Sequence, residues 1–214
     1  KSLNEMGFIK QRLIDKLKQE GREKDIQREL KQIQKPKCDK ELAYVADTNL
    51  QNYLHDMVIV QGYAALNRRC ISDIICREMG WVVKDRFETI HNYVDVKYGI
   101  LRKGAVSARN DETLIIPINM RDGSLICKGL GNEDWLYSAP HGAGRLMSRA
   151  KAKELLSMED YQKQMDGIYS TSICDSTIDE APMAYKPIDE IIECIKPTVK
   201  IVKQIKPIYN FKAK

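Results

Sequence analysis

The segment Ser-Ala-Pro-His-Gly-Ala-Gly-Arg, residues 138–145, places a histidine directly before a glycine-rich turn. Imidazole can attack phosphorus as well as transfer protons, so His141 is a candidate nucleophile. Gly142 and Gly144 would let the backbone approach a ligand closely, and a helix beginning near Arg145 would offer unpaired N–H groups to an anion. Arg145 would then hold phosphate oxygens bidentately. A glycine-rich connection into an ordinary amphipathic helix explains the same spacing.

Four further motifs contain residue types that suit phosphate or metal chemistry. His91 lies in a strand-like context and is either an ordinary sheet histidine or a metal ligand. The turn at 102–104 is basic, and its glycine would bring backbone N–H groups near phosphate. Residues 117–124 form a strand end followed by a polar turn, and residues 179–185 run from acidic to aromatic. Each motif is weak alone, whereas their occurrence together indicates a binding site.

The spacing of the apolar residues predicts that the chain begins with helices. Residues 3–33 carry apolar side chains at helical spacing, with a break or bend at Gly21. This segment is either a basic contact for nucleic acid or the solvated face of a helical hairpin. A polar loop is expected at residues 35–39, followed by a long helix over residues 48–79. The expected buried stripe of that helix consists of Leu50, Leu54, Met57, Val58, Gln61, Ala65 and Ile71.

From Gly80 onward the pattern becomes that of strands, which are predicted at residues 81–83, 87–93, 94–98, 113–118 and 124–128. Short helices are expected from near residue 145, after Ser157 and over 188–195, while 199–208 suits an edge strand as well as a helix. This order predicts an α+β fold of mixed strands with flanking helices and a helical N-terminal hairpin. We expect residues 1–38 to be that hairpin or an insertion, and residues 39–214 to be the main domain.

Composition limits the class of protein. The 214 residues are 43% hydrophobic and 30% charged, which is enough for a sizeable core, and the net charge of +5 is a weak argument for a polyanionic partner. Six dispersed cysteines without a CxxC pair indicate reduced thiols in a cytoplasmic protein. No apolar run approaches a membrane span, and no signal peptide is recognisable. Because the chain begins with Lys1, we expect it to be a processed or excised piece.

Taken in order, the motifs HNY, RKGA, INMRDGS, SAPHGAGRLMSRAKAK, DEAPMAYKPID and KPIYNFKA resemble the C-terminal half of RtcB-type tRNA-splicing ligases. The resemblance covers roughly residues 40–213, and Asn119 in the family's serine-containing turn suggests a divergent bacterial branch. It implies an RtcB-like fold and a ligase that joins RNA 2′,3′-cyclic phosphate or 3′-phosphate ends to 5′-hydroxyl ends. GTP and Mn²⁺ are the implied cofactors, and broken tRNA or other RNA is the implied substrate.

The same resemblance assigns a role to each candidate residue. His141 resembles the histidine that attacks the α-phosphorus of GTP to form a histidine–guanylate intermediate, and His91 resembles a manganese ligand. The residues that resemble the family's guanylate contacts are Asn119, Ser124, Gly142, Ala143, Gly144, Arg145, Tyr185 and Lys212. The candidates for RNA phosphate contacts are Arg102, Lys103 and Arg149.

One departure from the family concerns the metal. Members of the family carry most metal ligands in an N-terminal half, from an aspartate–cysteine motif and further histidines. This chain has three histidines and no comparable motif, so His91 alone would not build a two-metal centre. We therefore expect the isolated chain not to ligate RNA, and a complementary N-terminal chain is a candidate partner. The alternatives are a catalytically inactive nucleotide- or RNA-binding fragment and one half of a split ligase.

Overall fold

The computed structural model describes residues 3–33 and 44–210, with side chains from Met6 onward. The chain divides into two compact units, Lys1–His55 and Asp56–Lys214. Helices and antiparallel sheets are both present, which confirms the predicted α+β class. No helix among the described residues is long and apolar enough to cross a membrane.

The first unit is helical, as its apolar spacing predicts. The helix α1 spans Leu3–Gln19 and α2 spans Ile26–Gln32, with a 3₁₀ turn at Glu23–Asp25 between them. The expected break falls at Gly21, whose φ of +68° is a left-handed conformation that glycine adopts without steric cost. The predicted loop at residues 35–39 lies outside the described residues.

The third helix, α3, spans Asp47–Glu78 and confirms the predicted long helix. The predicted buried stripe is confirmed only in part, because no residue of α3 is fully buried in the described part of the chain. Leu54, Met57, Gln61 and Ala65 are half-buried, whereas Leu50, Val58 and Ile71 are exposed. Since an α-helix turns by about 100° per residue, the consecutive apolar residues Val58, Ile59 and Val60 point in different directions. This helix therefore has one half-buried side and carries further apolar side chains around the rest of its circumference.

Two antiparallel sheets form the framework of the second unit. Their strands are β1 His91–Asp95, β2 Ile100–Ser107, β3 Thr113–Asn119, β4 Gly123–Gly129, β5 Ser138–Pro140 and β7 Val199–Ile205. The first sheet has the order β1-β2-β5, and the second has the order β3-β4-β7. A separate parallel pair joins β6, Tyr169–Ser170, to β8, Tyr209–Asn210.

The strand predictions are confirmed in the second sheet but are wrong for the residues that precede β1 along the chain. The predicted strands at 113–118 and 124–128 correspond to β3 and β4, and β7 pairs with β4 as a strand rather than a helix. The predicted strand at 81–83 does not form, and of residues 87–93 only those from His91 onward belong to a strand. Apolar and aromatic residues favour strands only where a neighbouring backbone is available to pair with them.

One hydrophobic core joins the two sheets. It includes Val106 of β2 and Ile116 of β3, both almost completely buried. The helix α6, Ile188–Ile195, contributes Ile191 and Ile195 to the same cluster, which confirms the predicted helix over residues 188–195. This core holds the first and second sheets together, so loops at their edges are placed side by side.

A second apolar cluster supports the remaining short helices. The helices α4, Arg149–Leu155, and α5, Met158–Gln164, follow the glycine turn along the chain, and Tyr161 of α5 is fully buried in this cluster. The short helix predicted after Ser157 is confirmed as α5, and the Ser157 side chain caps it by accepting a hydrogen bond from Asp160 N at 3.1 Å.

Candidate functional site

The structure places His141 at the end of β5, beside β2. In the β2–β5 pair Ala105 lies opposite Pro140, and His141 N donates to Gly104 O at 3.4 Å. Gly104 has a φ of +68°, which favours glycine. A Cβ on Gly104 would lie 3.8 Å from the His141 ring, so the imidazole rests against this glycine.

The glycine turn after His141 crosses from the first sheet to the second. Ala143 N donates to Pro117 O at 3.1 Å. A Cβ on Gly142 would come within 3.1 Å of the same carbonyl oxygen, so glycine permits the turn to approach β3 closely. Gly144 has a φ of +74°, and a Cβ there would meet nothing within 4 Å. The two glycines therefore serve different purposes: one allows close packing and the other a left-handed backbone.

His91, the predicted metal ligand, lies next to His141. Their ring centroids are 5.1 Å apart, and the two rings are stacked with an interplanar angle of 16°. A bulge between His91 and Tyr93 shapes this edge of β1, and Asn92 within it has a φ of +53°. The Asn92 side chain accepts a hydrogen bond from Gly104 N at 2.6 Å, which ties the bulge to the glycine that supports His141.

The pair of histidines does not by itself fit a manganese centre. Among the described residues no group of three or more histidine, cysteine, aspartate or glutamate side chains is arranged to hold a metal ion. Mn²⁺ needs several such ligands. His91 can therefore supply at most one part of the site that the resemblance implies.

A cavity of about 720 Å³ opens beside His141. Its volume falls within the range of small-molecule sites. The walls come from the β3–β4 turn, the glycine turn, the segment before α6 and the end of β7. The predicted site residues that line it are Asn119, Ser124, His141, Gly142, Ala143, Gly144, Arg145 and Tyr185. The structure thus brings most of the predicted guanylate contacts to one place, while Lys212 lies outside the described residues.

Arg145 lines the cavity, but its charge already has partners. Its Nη2 donates to Glu180 Oε1 at 3.0 Å and to the Tyr185 hydroxyl at 3.1 Å. The guanidinium carbon lies 4.8 Å from the centroid of the Tyr185 ring. Its Nη1 is buried and makes no hydrogen bond with any described residue. An anion that binds Arg145 would therefore compete with Glu180 for the guanidinium and could satisfy the unpaired nitrogen.

Tyr185 is fixed to the glycine turn through its backbone and its hydroxyl. Arg145 and Tyr185 form an isolated antiparallel bridge, and Lys186 N donates to Gly144 O at 3.2 Å. The Tyr185 hydroxyl donates to Glu180 Oε2 at 2.7 Å. Burial, together with the neighbouring Glu180 carboxylate, raises the pKa of the Tyr185 phenol. The ring therefore stands neutral and immobilised on the cavity wall, which suits an aromatic contact with a nucleobase.

The side chain of Asn119 is used within its own turn. Its Oδ1 accepts hydrogen bonds from Arg121 N at 2.9 Å and Asp122 N at 2.8 Å, and its Nδ2 donates to Asp122 Oδ2 at 2.8 Å. The Arg121 guanidinium and Asn119 hold the pKa of the Asp122 carboxyl below its usual range against the effect of burial. The predicted nucleotide contact by Asn119 would require some of these bonds to open. Ser124, at the start of β4, remains the other predicted contact on this wall.

Arg102 and Lys103 are neighbours with opposite environments. The Arg102 side chain is only 1% exposed and forms an ion pair with Asp95 at 2.9 Å. It also donates to Ser138 Oγ and to the Tyr93 hydroxyl, each at 2.9 Å. The expected RNA contact by Arg102 is therefore not supported, because its guanidinium is buried and saturated with protein partners. Lys103 is exposed and keeps its predicted role as a candidate.

Arg149 is the first residue of α4 and is exposed, as an RNA contact requires. Its Nη1 lies 2.6 Å from Asp179 Oδ2, and Nη1 also pairs with Glu180. The helix begins four positions later than the sequence suggested, and Ser148 caps it by accepting from Lys151 N at 3.2 Å. The chain after Arg145 pairs instead with the segment before α6, so the helix N-terminus does not directly follow the glycine turn.

Three polar residues that line the cavity were missed as site residues: Glu180, Lys206 and Asn210. Glu180 belongs to the motif that was recognised as acidic and then aromatic, but the partner of its carboxylate was not predictable. Asn210 belongs to the terminal motif, and its Nδ2 donates to Met120 O at 2.9 Å. Sequence spacing alone contains no signal for the contacts of Glu180 with Arg145 and of Asn210 with Met120, since the members of each pair are far apart along the chain.

The site thus combines a histidine-bearing glycine turn with a cavity of small-molecule size in an α+β domain, and a histidine in such a place is available as a nucleophile or a general base. A model of the family described as tRNA-splicing ligase RtcB matches residues 14–213. The chain is 35% identical over 185 residues to the RNA-splicing ligase RtcB of Escherichia coli K12, a match that covers 78% of this chain and 45% of that protein.

A second relative comes from an archaeon. The tRNA-splicing ligase RtcB of Aeropyrum pernix is 30% identical over 194 residues, a match that covers 72% of this chain and 40% of that protein. The chain belongs to the RtcB family of tRNA-splicing ligases. It spans about half the length of the curated relatives it matches, at 45% of the Escherichia coli protein.

Proposed function

We propose that this chain is the nucleophile-bearing part of a GTP-dependent RNA ligase. The observation that carries the proposal is the position of His141 at the edge of a cavity whose wall holds both an arginine and an aromatic ring. Membership in the RtcB family supports an RNA substrate. The ends to be joined would be a 2′,3′-cyclic phosphate or 3′-phosphate and a 5′-hydroxyl.

In the proposed reaction, a ring nitrogen of His141 attacks the α-phosphorus of GTP, and the bond to the pyrophosphate oxygen breaks. Where the RNA ends in a 2′,3′-cyclic phosphate, water would first attack its phosphorus and break the bond to the 2′-oxygen, which leaves a 3′-phosphate. An oxygen of the RNA 3′-phosphate then attacks the phosphorus bound to His141, the phosphorus–nitrogen bond breaks, and the guanylate is transferred to RNA. Finally the 5′-hydroxyl oxygen attacks the RNA phosphorus and GMP leaves. Forming a covalent intermediate divides one difficult phosphoryl transfer into easier steps.

Different residues of the cavity would contact different parts of the nucleotide. Arg145 and the backbone of the glycine turn would hold phosphate oxygens, and Tyr185 would pack on guanine. Ser124 and Lys212 are further proposed guanylate contacts. His141 and its neighbour His91 are stacked, so this second ring would restrain the proposed nucleophile beside the cavity.

Manganese is proposed as the metal, with His91 as one ligand. When bound, the ion would offset negative charge on phosphate oxygens. Because the described residues lack a complete ligand set, we propose that the other ligands come from a polypeptide equivalent to the part of the relatives that this chain does not match. Lys103 and Arg149 are the proposed RNA phosphate contacts, and the dispersed free cysteines support a cytoplasmic location.

The second candidate function is a catalytically inactive nucleotide- or RNA-binding fragment. The incomplete metal site among the described residues favours this alternative. Such a fragment would bind GTP or RNA in the same cavity but would not form a covalent adduct with guanylate.

Incubation with α-labelled GTP and Mn²⁺ tests the proposal. We expect an acid-labile guanylate adduct that is lost in His141→Ala and retained in His55→Ala, a control histidine on α3 outside the cavity. The chain is tested alone and together with the N-terminal half of the Escherichia coli K12 relative. An adduct under either condition supports a ligase, and an adduct only in the mixture indicates a split active site. No adduct in either, with GTP still bound, would refute the ligase and favour the binding fragment.

A further inference from the structure

The geometry points to Glu180 as a positioning residue that couples the phosphate-facing and base-facing parts of the cavity. This inference rests on the proposed function, since it assumes that Arg145 holds phosphate and Tyr185 packs on guanine. Glu180 lines the cavity beside both of them. It would act through these two side chains and would not take part in bond making or breaking.

The two carboxylate oxygens of Glu180 have different partners. Oε1 accepts from Arg145 Nη2 at 3.0 Å and also pairs with Arg149, whereas Oε2 accepts from the Tyr185 hydroxyl at 2.7 Å. The same Arg145 nitrogen lies 3.1 Å from the Tyr185 hydroxyl, which closes a triangle of three side chains. A movement of any member therefore displaces the other two.

The backbone that presents Glu180 is held firmly. Glu180 ends a 3₁₀ segment, Asp175–Glu180, in which Thr177 and Ile178 are buried. The Thr177 hydroxyl donates to Cys174 O at 3.0 Å, and Ala181 N donates to Ile178 O at 3.1 Å. A carboxylate on such a segment can set the position of flexible arginine and tyrosine side chains rather than follow them.

The preceding carboxylate, Asp179, contacts the same two arginines as Glu180 but not Tyr185. Its Oδ2 lies 2.6 Å from Arg149 Nη1 and 3.8 Å from Arg145 Nη2, and its Oδ1 lies 3.9 Å from Lys153 Nζ. Asp179 does not line the cavity and makes no hydrogen bond with Tyr185 among the described residues. The coupling of the arginine to the aromatic ring is therefore specific to Glu180.

The direction in which Glu180→Gln changes GTP affinity distinguishes a positioning role of Glu180 from a purely electrostatic one. Glu180→Gln removes a negative charge beside the cavity, and electrostatics alone would then strengthen the binding of an anionic nucleotide. If Glu180 acts by positioning, the loss of the charge-assisted bonds instead frees Arg145 and Tyr185. We then expect GTP to bind about tenfold more weakly, as for a lost hydrogen bond to a charged group.

A double-mutant cycle tests the coupling directly. Tyr185→Phe keeps the ring and removes only the hydroxyl bonded to Glu180, and we expect it to weaken GTP binding about threefold. The double variant should bind no more weakly than Glu180→Gln alone, because the first change already breaks the triangle. Affinity is measured by equilibrium dialysis of labelled GTP with the full chain in the presence of Mn²⁺.

A chemically matched pair outside the cavity provides the control. The Tyr137 hydroxyl donates to Glu133 Oε1 at 2.7 Å, so Glu133→Gln and Tyr137→Phe remove the same kind of bond elsewhere. These changes should leave GTP affinity unchanged, and circular dichroism establishes that every variant is folded. Tighter binding by Glu180→Gln, or independent effects that multiply in the double variant, would overturn the inference while leaving the proposed function intact. Failure of the unmodified chain to bind GTP would overturn both.

Discussion

Replacing Arg102 tests whether this arginine stabilises the fold or contacts nucleic acid. Arg102→Met keeps much of the side-chain volume but leaves Asp95, which is 13% exposed, without its main partner. Arg109 Nη2, 3.7 Å from the same carboxylate, is the remaining cation. Removing one member of a buried ion pair costs about 3–5 kcal/mol, and the second arginine places the expected loss near the lower limit, about 3 kcal/mol.

Lys103→Ala is the matched variant, because it removes an exposed positive charge from the next residue of β2. For a domain of this size, a loss of about 3 kcal/mol should lower the midpoint of thermal unfolding by about 6–12 °C in Arg102→Met. Lys103→Ala should change stability by less than about 0.5 kcal/mol, as is usual for surface positions. Urea unfolding followed by circular dichroism measures both free energies.

RNA binding gives the complementary result. If Lys103 contacts a phosphate of single-stranded RNA, Lys103→Ala should lower the slope of log affinity against log salt concentration by about 0.7. Arg102→Met, measured at a temperature where it is folded, should leave that slope unchanged. Normal stability together with a reduced salt slope in Arg102→Met would refute this reasoning and restore the RNA contact that the resemblance implies.

Two further predictions concern the packing of the second unit. Gly123→Ala should destabilise the protein by about 3 kcal/mol or more in urea unfolding, because the new Cβ would lie 2.0 Å from Ile205 O at a φ of +78°. Gly144→Ala, with a similar φ but open space, should cost only about 1–2 kcal/mol, and equal losses would contradict the clash. Iodoacetamide at neutral pH should label Cys174, whose pKa is lowered by hydrogen bonds from Ser176 and Thr177, and should spare Cys127, whose pKa burial raises to about 11. Mass spectrometry that finds Cys127 labelled as fast as Cys174 in folded protein would contradict this burial.

The helices and the second sheet were predictable because their signals are local. The long helix α3 has an uninterrupted run of helix-compatible residues, and β3 alternates buried and less buried positions along its length. Burial on α3 was predicted only in part: Leu54, Met57, Gln61 and Ala65 are half-buried, but the exposure of Val58 was not predictable, since apolar residues occur on every side of the helix. The failed strand at residues 81–83 has the same origin: β propensity is a property of residues, but pairing depends on a distant backbone.

Within the site, the type and position of a residue could be interpreted from the sequence, but its hydrogen-bonding and ion-pair partners could not. Alternation along β2 places Arg102 on the same face as Val106, which is almost completely buried. Identifying its partner required the register between β1 and β2, and the bulge between His91 and Tyr93 shifts that register. The motif therefore identified Arg102 as a candidate functional residue, while only the structure shows that its charge is paired with Asp95.

The charges around the cavity supply a physical reason for a divalent cation. The cationic side chains among its lining residues are Arg145 and Lys206. Arg145 is paired with Glu180, and Lys206 lies close enough to lower the pKa of Asp122. A nucleoside triphosphate would thus enter a site whose positive charge is already largely offset by carboxylates, and it would gain little from protein cations alone. The divalent cation that we propose as a cofactor would supply the positive charge that the residues around His141 lack.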